Sequence, residues 1–183
     1  NHLFSVVGDA IEAEGGWIDK YMGDGLMALF GRETGPHIGC QQALRACRRI
    51  DEAVERVSEE LASELGEPLA IGMGLHVGQL VLGEIGHKGS SRLTVIGDAV
   101  NTASRLEALT KAPPCQLIFS SAIAECARLD TSGLFVEAVE VRGVQGPVEI
   151  YRVDRARNLR LTFDRGSRSG QDEVSPHRGT PSG

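Results

Sequence analysis

Aromatic residues are scarce in this sequence, since Phe, Trp and Tyr together make up 4% of its 183 residues. A core built almost without them must rest on Leu, Ile, Val and Ala. The hydrophobic fraction of 41% is ordinary for a globular protein. A chain of this length has room for one domain, because domains commonly contain about 100–200 residues. We therefore expect a single domain with an aliphatic core.

Cysteine is also sparse, and none of the four cysteines forms a C-x-x-C pair. Cys40 and Cys47 lie seven residues apart on a predicted helix, so both can pack inward. This pattern favours buried free thiols over a disulfide framework or a zinc site.

Long apolar runs and an excess of basic residues are absent as well. No run approaches the ~20 residues that a membrane-spanning helix needs, and no signal peptide is visible. The formal net charge of -6 argues against a nucleic-acid partner, because nucleic-acid-binding surfaces are usually basic. We expect a cytoplasmic location, or the cytoplasmic face of a membrane if the full-length protein is tethered there.

The hydrophobic pattern that is present predicts alternating helices and strands. From Leu69 to Val77, apolar residues alternate with small ones, which predicts a strand with one apolar face and one face without bulk. Residues 79–85 are expected to be its hairpin partner. The other predicted elements are helices over 3–14 and 39–65, two strands within 17–30 joined at Gly23-Asp24-Gly25, a loop over 86–91, a strand over 92–96, a helix beginning at Gly97-Asp98 with Asp98 as N-cap, a strand over 115–119, a helix over 120–129, and strands over 134–142 and 147–153.

This order of elements indicates the fold class. Several strands follow one another through tight hairpins, which favours an α+β domain with a mixed or antiparallel sheet over a doubly wound fold. After about residue 155 the chain becomes rich in Arg, Ser, Gly and Pro and loses its hydrophobic period. We therefore predict a domain over 1–154 and a disordered tail over 155–183.

The first candidate site is the segment Lys20-Tyr21-Met22-Gly23-Asp24-Gly25. The glycines at the tip of such a hairpin let a ligand approach the backbone, and Asp24 is exposed there. Hard cations such as Mg²⁺ take one or two carboxylates plus substrate phosphates. An Asp-Gly pair is also favourable turn chemistry, and on this segment alone the structural interpretation is favoured.

The second candidate site contains Asn101 and Arg105, which are one helical turn apart and so project from one face. Near a helix N-terminus that face can hold an anion, and Arg adds a fixed charge for phosphate. A surface Asn and a salt-bridged Arg would give the same pattern, so these two residues alone leave both interpretations open.

Three segments that occur together favour the functional interpretation of both candidate sites over the structural one. They are GGWIDKYMGDGLMALFG, GLHVGQLVLGEIG and RLTVIGDAVNTASRLEAL. In this order and spacing they closely resemble the catalytic domain of the class III adenylyl and guanylyl cyclases. The resemblance runs from Asn1 to about Asp154, and the stretch IGDAVNTASRLE is highly specific. It implies a ferredoxin-like α+β fold, two Mg²⁺ or Mn²⁺ ions per site, and a head-to-tail homodimer with its active sites at the interface.

The same resemblance implies roles for individual residues. Asp24 matches the second of two metal-binding aspartates. Asn101 and Arg105 match the pair that orients the ribose region and stabilises charge on the reacting phosphate. Lys20 and Thr94 match the two positions that select the base.

The chain also departs from the family pattern at two places. The family's first metal aspartate lies on a strand upstream of residues 3–14, so we expect the domain to lack its first strand and to be nearly inactive alone. Val144 stands where family members often have a basic residue for the triphosphate, and Arg142 is the candidate substitute. His76 is expected to be structural.

The base-selecting positions favour ATP. Adenine offers an acceptor at N1 and a donor at its 6-amino group, which a Lys donor and a hydroxyl acceptor complement. Guanine presents the reverse pattern, and guanylyl cyclases are known for Glu where Lys20 stands. A buried mismatch at such a contact costs a few kcal/mol.

Most adenylyl cyclases have Asp at the position of Thr94. In having Thr there, this sequence resembles a subgroup of the family in which some members respond to bicarbonate. A hydroxyl can accept as well as donate, so looser base discrimination is expected. The sequence thus predicts an adenylate cyclase that forms 3',5'-cyclic AMP and pyrophosphate, with regulatory domains elsewhere in the full-length chain. A guanylate cyclase and a catalytically inactive, cyclase-like regulatory dimerisation domain remain the alternatives.

Overall fold

Helices and strands alternate along the chain in a computed structural model that describes the backbone of residues 2–87 and 90–164 and the side chains of 2–83 and 94–164. The elements are α1 (His2–Glu12), β1 (Trp17–Met22), β2 (Gly25–Leu29), α2 (Gly35–Glu60), β3 (Met73–Leu75), β4 (Val81–His87), β5 (Ser90–Ile96), α3 (Asp98–Ala108), β6 (Leu117–Ser120), α4 (Ser121–Ala127), β7 (Val136–Glu140), β8 (Pro147–Val153) and a 3₁₀ turn over Ala156–Asn158.

The strands form one mixed sheet and two antiparallel ribbons. The sheet has the order β3-β6-β8-β7, in which β3 pairs parallel to β6 and the other neighbours are antiparallel. The ribbons are β1-β2 and β4-β5. This architecture confirms the predicted α+β class with a mixed sheet.

An aliphatic core joins the first two helices to the sheet. Buried residues of α1, α2, α4, β3 and β6 pack together, and Phe119 is among the largest side chains with no exposed surface. Cys40 and Cys47 are buried free thiols, as predicted, and burial raises the pKa of each to about 12. Such thiols remain protonated near neutral pH and serve as small apolar side chains.

The segment from Leu69 to Val77 has the two faces that its sequence predicts, although only Met73–Leu75 is a strand. Its alternating apolar side chains pack against the main core. On the opposite side, a Cβ atom added at Gly74 would lie 2.3 Å from the carbonyl oxygen of Ala103. The bare face therefore allows the backbone of α3 to rest directly on β3, which positions the helix that carries both Asn101 and Arg105.

The structure corrects three local predictions. Of the expected hairpin partner over 79–85, residues 81–85 belong instead to β4, which pairs with β5 so that Val81 faces Ile96. The expected loop over 86–91 lies largely within these two strands, where His87 faces Ser90. The pattern of one strand does not specify its partner, so this pairing was assigned wrongly. Gly97, not Asp98, is the N-cap of α3, and no side-chain hydrogen bond caps the helix.

The predicted start of the disordered tail near residue 155 is wrong for residues 155–164. Ala156 and Leu159 are buried, and Leu129 and Phe163 form an isolated β-bridge. Ion pairs to α2 hold the same segment. The polar residues that indicated a disordered tail therefore include side chains that bind this segment to the domain. Residues 165–183 lie outside the described part of the chain. None of the described helices has the length and apolar character to cross a membrane.

Candidate active site

Lys20 and Thr94 lie together at the junction of the two ribbons. The Lys20 ammonium on β1 donates a hydrogen bond to Thr94 Oγ1 on β5 over 2.7 Å, although the two residues are 74 positions apart in the sequence. Both side chains are partly buried. The fold therefore joins the two residues that the sequence predicts to select the base.

A third residue, Asp19, completes this cluster and was not predicted. Its carboxylate has no exposed surface, and Oδ2 lies 3.1 Å from Lys20 Nζ. Thr94 Oγ1 also donates to this oxygen over a longer distance of 3.4 Å. Strand alternation places neighbours on opposite faces, so the sequence pattern offers no sign that Asp19 and Lys20 would meet.

A β-bulge in β1 explains how they meet. Ile18 is paired with Ala28 and Lys20 with Met27, so Asp19 is an extra residue with no partner on β2. A bulge bends its strand and re-aims the side chains beside it. The irregularity brings the carboxylate and the ammonium of adjacent residues together.

Asn101 and Arg105 lie one turn apart on α3, as predicted. Asn101 is exposed and Arg105 is partly buried. The Arg105 guanidinium lies beside the turn at Gly143, where an added Cβ atom would be 3.1 Å from Arg105 Nη1. Gly143 has a φ of 74°, which favours glycine.

This turn also carries Arg142, whose side chain is exposed. Val141, the residue before it, is buried in a small cluster with Leu106 of α3. The packing fixes the turn against the helix, so the structure brings the turn that carries Arg142 close to Arg105.

Asp24 lies on a different element from Asn101, Arg105 and Arg142. It occupies the two-residue turn between Met22 and Gly25, which face each other in the β1-β2 ribbon, and its side chain is exposed. Within the described ranges it makes no hydrogen bond or ion pair with Asn101 or Arg105. Gly23 and Gly25 flank it, and a Cβ added at Gly23 would meet nothing within 4 Å.

The turn suits a cation that is shared with other ligands. In the described part of the chain, no three His, Cys, Asp or Glu side chains cluster as they would in an all-protein metal site. Asp24 offers one open carboxylate, and Mg²⁺ is commonly held by one or two carboxylates together with substrate phosphates. The geometry therefore fits an ion that arrives with a phosphorylated ligand.

Comparison with known proteins identifies the family. The model of the adenylate and guanylate cyclase catalytic domain matches residues 1–155. The chain belongs to this family. The cyclase domain is 34% identical over 160 residues to an adenylate cyclase of Anabaena cylindrica, covering 84% of this chain and 31% of the relative. It is also 34% identical over 154 residues to an uncharacterized protein of Mycobacterium tuberculosis, covering 82% and 27%. It thus spans less than a third of the length of these relatives.

Solved structures confirm the cyclase fold. The guanylyl cyclase Cya2 superposes with a TM-score of 0.72 at 28% identity, covering 88% of this chain and 82% of that chain. A bacterial light-regulated adenylyl cyclase gives 0.67 at 29% identity, covering 85% and 44%. The adenylyl cyclase CyaB from P. aeruginosa gives 0.71 at 24% identity, covering 84% and 79%, which supports the fold alone.

His76 of the cyclase domain lies away from the base-selecting cluster. Its Nδ1 atom is 2.9 Å from Oγ of the buried Ser120 on β6. Burial lowers the pKa of His76. A neutral imidazole held by a core hydroxyl agrees with the structural role expected for it.

Proposed function

We propose that this class III cyclase domain belongs to an adenylate cyclase, which converts ATP to 3',5'-cyclic AMP and pyrophosphate. The observation that carries the proposal is the contact between Lys20 and Thr94. It places an ammonium donor next to a hydroxyl oxygen, and adenine presents an acceptor at N1 beside a donor at its 6-amino group. The adenylate cyclase of Anabaena cylindrica among the relatives agrees with this substrate.

The reaction needs no covalent nucleophile from the protein. The 3'-hydroxyl of ATP attacks the α-phosphate of the same molecule, a 3' oxygen–phosphorus bond forms, and the bond to pyrophosphate breaks, while the hydroxyl proton passes to solvent. Asn101 would orient the ribose. Arg105 would stabilise the charge that builds on the phosphorus oxygens, an effect that can be worth orders of magnitude in rate. Arg142, on the turn beside Arg105, would add positive charge near the triphosphate.

Two divalent cations, Mg²⁺ or Mn²⁺, would lower the pKa of the attacking hydroxyl and neutralise the triphosphate when bound. Asp24 would contribute one carboxylate to hold them. Its exposed position at the tip of a ribbon suits a ligand shared between protein and substrate.

We further propose that the active enzyme is a homodimer with its sites at the interface. Apolar side chains beside Thr94 support this, because contiguous exposed apolar surface commonly marks an interaction site. Among the described side chains of the β4-β5 ribbon and of the residue before it, Leu80, Val81, Leu82 and Ile96 are exposed.

The substitution Lys20→Glu tests the choice of base in the full-length protein. Glu accepts where adenine N1 also accepts, so kcat/KM for ATP should fall roughly 100-fold, as expected for a buried mismatch. Activity with GTP should fall less. Both nucleotides are assayed with Mg²⁺ and with Mn²⁺.

Lys111→Glu is the matched control, because Lys111 is an exposed lysine outside the base-selecting cluster. It should leave both activities unchanged. GTP is the second candidate substrate, since the guanylyl cyclase Cya2 has a similar structure. A wild-type protein that prefers GTP, or an ATP/GTP ratio that Lys20→Glu leaves unchanged, would contradict the adenylate assignment. Inactivity with both nucleotides would favour a regulatory role.

A further inference from the structure

The carboxylate of Asp19 is unusual because it is fully buried and only partly hydrogen-bonded. Its Oδ2 atom contacts Lys20 and Thr94, whereas Oδ1 is buried without a hydrogen-bond partner among the described residues. Burying a carboxylate costs free energy unless its partners compensate. A bulged residue next to a candidate substrate site is a place where a fold commonly re-aims a side chain for function.

The contacts of Asp19 decide what the Thr94 hydroxyl can offer to a ligand. A hydroxyl has one hydrogen to donate and two lone pairs that accept. Thr94 accepts from Lys20 over 2.7 Å and directs its hydrogen to Asp19 over 3.4 Å. With its hydrogen and one lone pair engaged, Thr94 has only an acceptor left.

The same count applies to Lys20. Its ammonium has three hydrogens: one is donated to Thr94, and a second is available to the Asp19 carboxylate, whose Oδ2 lies 3.1 Å from Nζ. One donor remains for a ligand. The cluster thus presents one donor and one acceptor side by side, which is the complement of the N1 acceptor and 6-amino donor of adenine.

We propose that Asp19 is a positioning residue that determines base specificity, acting through Lys20 and Thr94. It keeps Thr94 as a hydrogen-bond acceptor, although a free hydroxyl could also donate. The discrimination between adenine and guanine is therefore stricter than is expected for Thr at this position. This inference rests on the proposed adenylate cyclase function and deepens it.

Asp19→Asn in the full-length protein tests the inference, because Asn has almost the same shape but no charge. Its amide can donate to Thr94, which frees the Thr94 hydrogen to face the base. The ratio of kcat/KM for ATP to that for GTP should fall at least about tenfold, as expected when a recognition hydrogen bond is lost. The fall should come mainly from a higher KM for ATP.

Two variants separate specificity from folding. Asp51→Asn also removes a fully buried, ion-paired carboxylate, but one whose partners are outside the cluster, so it should lower stability and leave the ATP/GTP ratio unchanged. Adding Thr94→Asp to Asp19→Asn returns a carboxylate acceptor beside Lys20 and should restore the ratio. A merely structural role for Asp19 would not predict that Thr94→Asp restores the ratio.

Binding of 3'-deoxy adenine and guanine nucleotides, which cannot cyclise, is measured in parallel. This measurement tests Asp19 even if the wild-type protein turns over neither nucleotide, an outcome that would refute the proposed function instead. If Asp19→Asn does not fold, Thr94→Val leaves the ion pair in place and should lower the ratio by itself. A folded Asp19→Asn protein, or a Thr94→Val protein, with an unchanged ratio in turnover and binding overturns the inference.

Discussion

Asp51 on α2 holds the segment that follows β8 against the domain. Its carboxylate has no exposed surface and accepts hydrogen bonds from Gln116, Arg155 and both the backbone and the side chain of Arg157, at 2.8–3.1 Å. Burial pushes the pKa of Asp51 upward, but these hydrogen bonds outweigh it and hold the pKa below its usual value. The folded state therefore favours the ionised carboxylate.

Asp51→Asn should lower the free energy of unfolding by about 2–4 kcal/mol near neutral pH, because it removes one partner of buried ion pairs. The folded pKa lies below the unfolded value of about 3.8, so this stabilisation is complete above that pH and is lost as the pH falls through the folded pKa. The difference in the free energy of unfolding between wild type and variant should therefore narrow as the pH falls below 3.8. Urea unfolding near neutral pH and at a pH below that value measures it.

Glu52→Gln is the matched control, since Glu52 is the exposed neighbour of Asp51 on the same helix. It should change the free energy of unfolding by less than about 0.5 kcal/mol at either pH. A gap for Asp51→Asn that stays constant with pH would show that the Asp51 charge does not stabilise the fold.

At the scale of elements, the contact of α3 with the bare face of β3 links the core to the candidate site. A Cβ added at Gly74 would also lie 2.4 Å from the backbone nitrogen of Glu107, so the helix leaves no room for a side chain. Backbone atoms cannot move aside as a flexible side chain could. Any residue other than glycine at position 74 must push α3 away from the sheet.

Gly74→Ala should therefore reduce cyclase activity more than its modest change in volume suggests, because Asn101 and Arg105 move with α3. We expect a loss of stability of about 1–3 kcal/mol, typical of overpacking, and a kcat at least roughly tenfold lower, since misplaced catalytic groups are costly. Thermal unfolding and cyclic AMP formation are measured on the same samples.

Gly66→Ala is the control, since an added Cβ there meets nothing within 4 Å. It should leave both measurements nearly unchanged. Normal kcat in a Gly74→Ala protein would mean that α3 adapts without displacing the site residues.

Which elements could be predicted depended on how local their determinants are. The helical stripe of 39–65 and the alternation from Leu69 to Val77 both depend on nearby residues, and the structure has α2 and the two-faced segment there. The partner of β4 and the packing of residues 155–164 depend on distant residues. Asp51 and Arg157, for example, are 106 positions apart.

The candidate site also has some features that the sequence predicts and others that depend on distant contacts. Lys20 and Thr94 were assigned to one function through family resemblance, and the structure brings them into contact. The bulge that adds Asp19 to them arises from the register between β1 and β2, which a list of residue types does not encode. A buried acid in a polar motif was therefore overlooked.

At the scale of the whole molecule, Asp24 and the α3 residues occupy different parts of the chain. Asp24 is at the tip of the β1-β2 ribbon, whereas Arg105 packs beside the turn at Gly143. In the proposed head-to-tail dimer, each site would take Asp24 from one subunit and Lys20, Asn101 and Arg105 from the other. Each site would then need two chains.

Mixing two inactive full-length variants, Asp24→Ala and Arg105→Ala, should restore activity. Their heterodimer has one doubly damaged site and one intact site, so statistical exchange of subunits should recover about a quarter of wild-type activity. Cyclic AMP formation is followed against the mixing ratio.

A mixture of Asn101→Ala and Arg105→Ala is the matched control. Both residues would belong to the same half of each site, so every heterodimer site would lack one of them and no recovery is expected. Failure of the first mixture, given dimers that demonstrably exchange subunits, would mean that each site is built within one chain.

The contact between Asp19 and Lys20 also limits how the proposed adenylate cyclase could evolve a preference for GTP. Replacing Lys20 by Glu alone would put a second carboxylate next to the buried carboxylate of Asp19, which now pairs with the ammonium. Like charges at neighbouring positions repel, and a buried carboxylate that loses its cationic partner costs stability. The single step towards a guanine-selecting residue should therefore lower stability as well as ATP turnover unless position 19 changes first. Where Asp19 is kept, descendants should retain Lys20 as well, so the two positions should change together among related sequences.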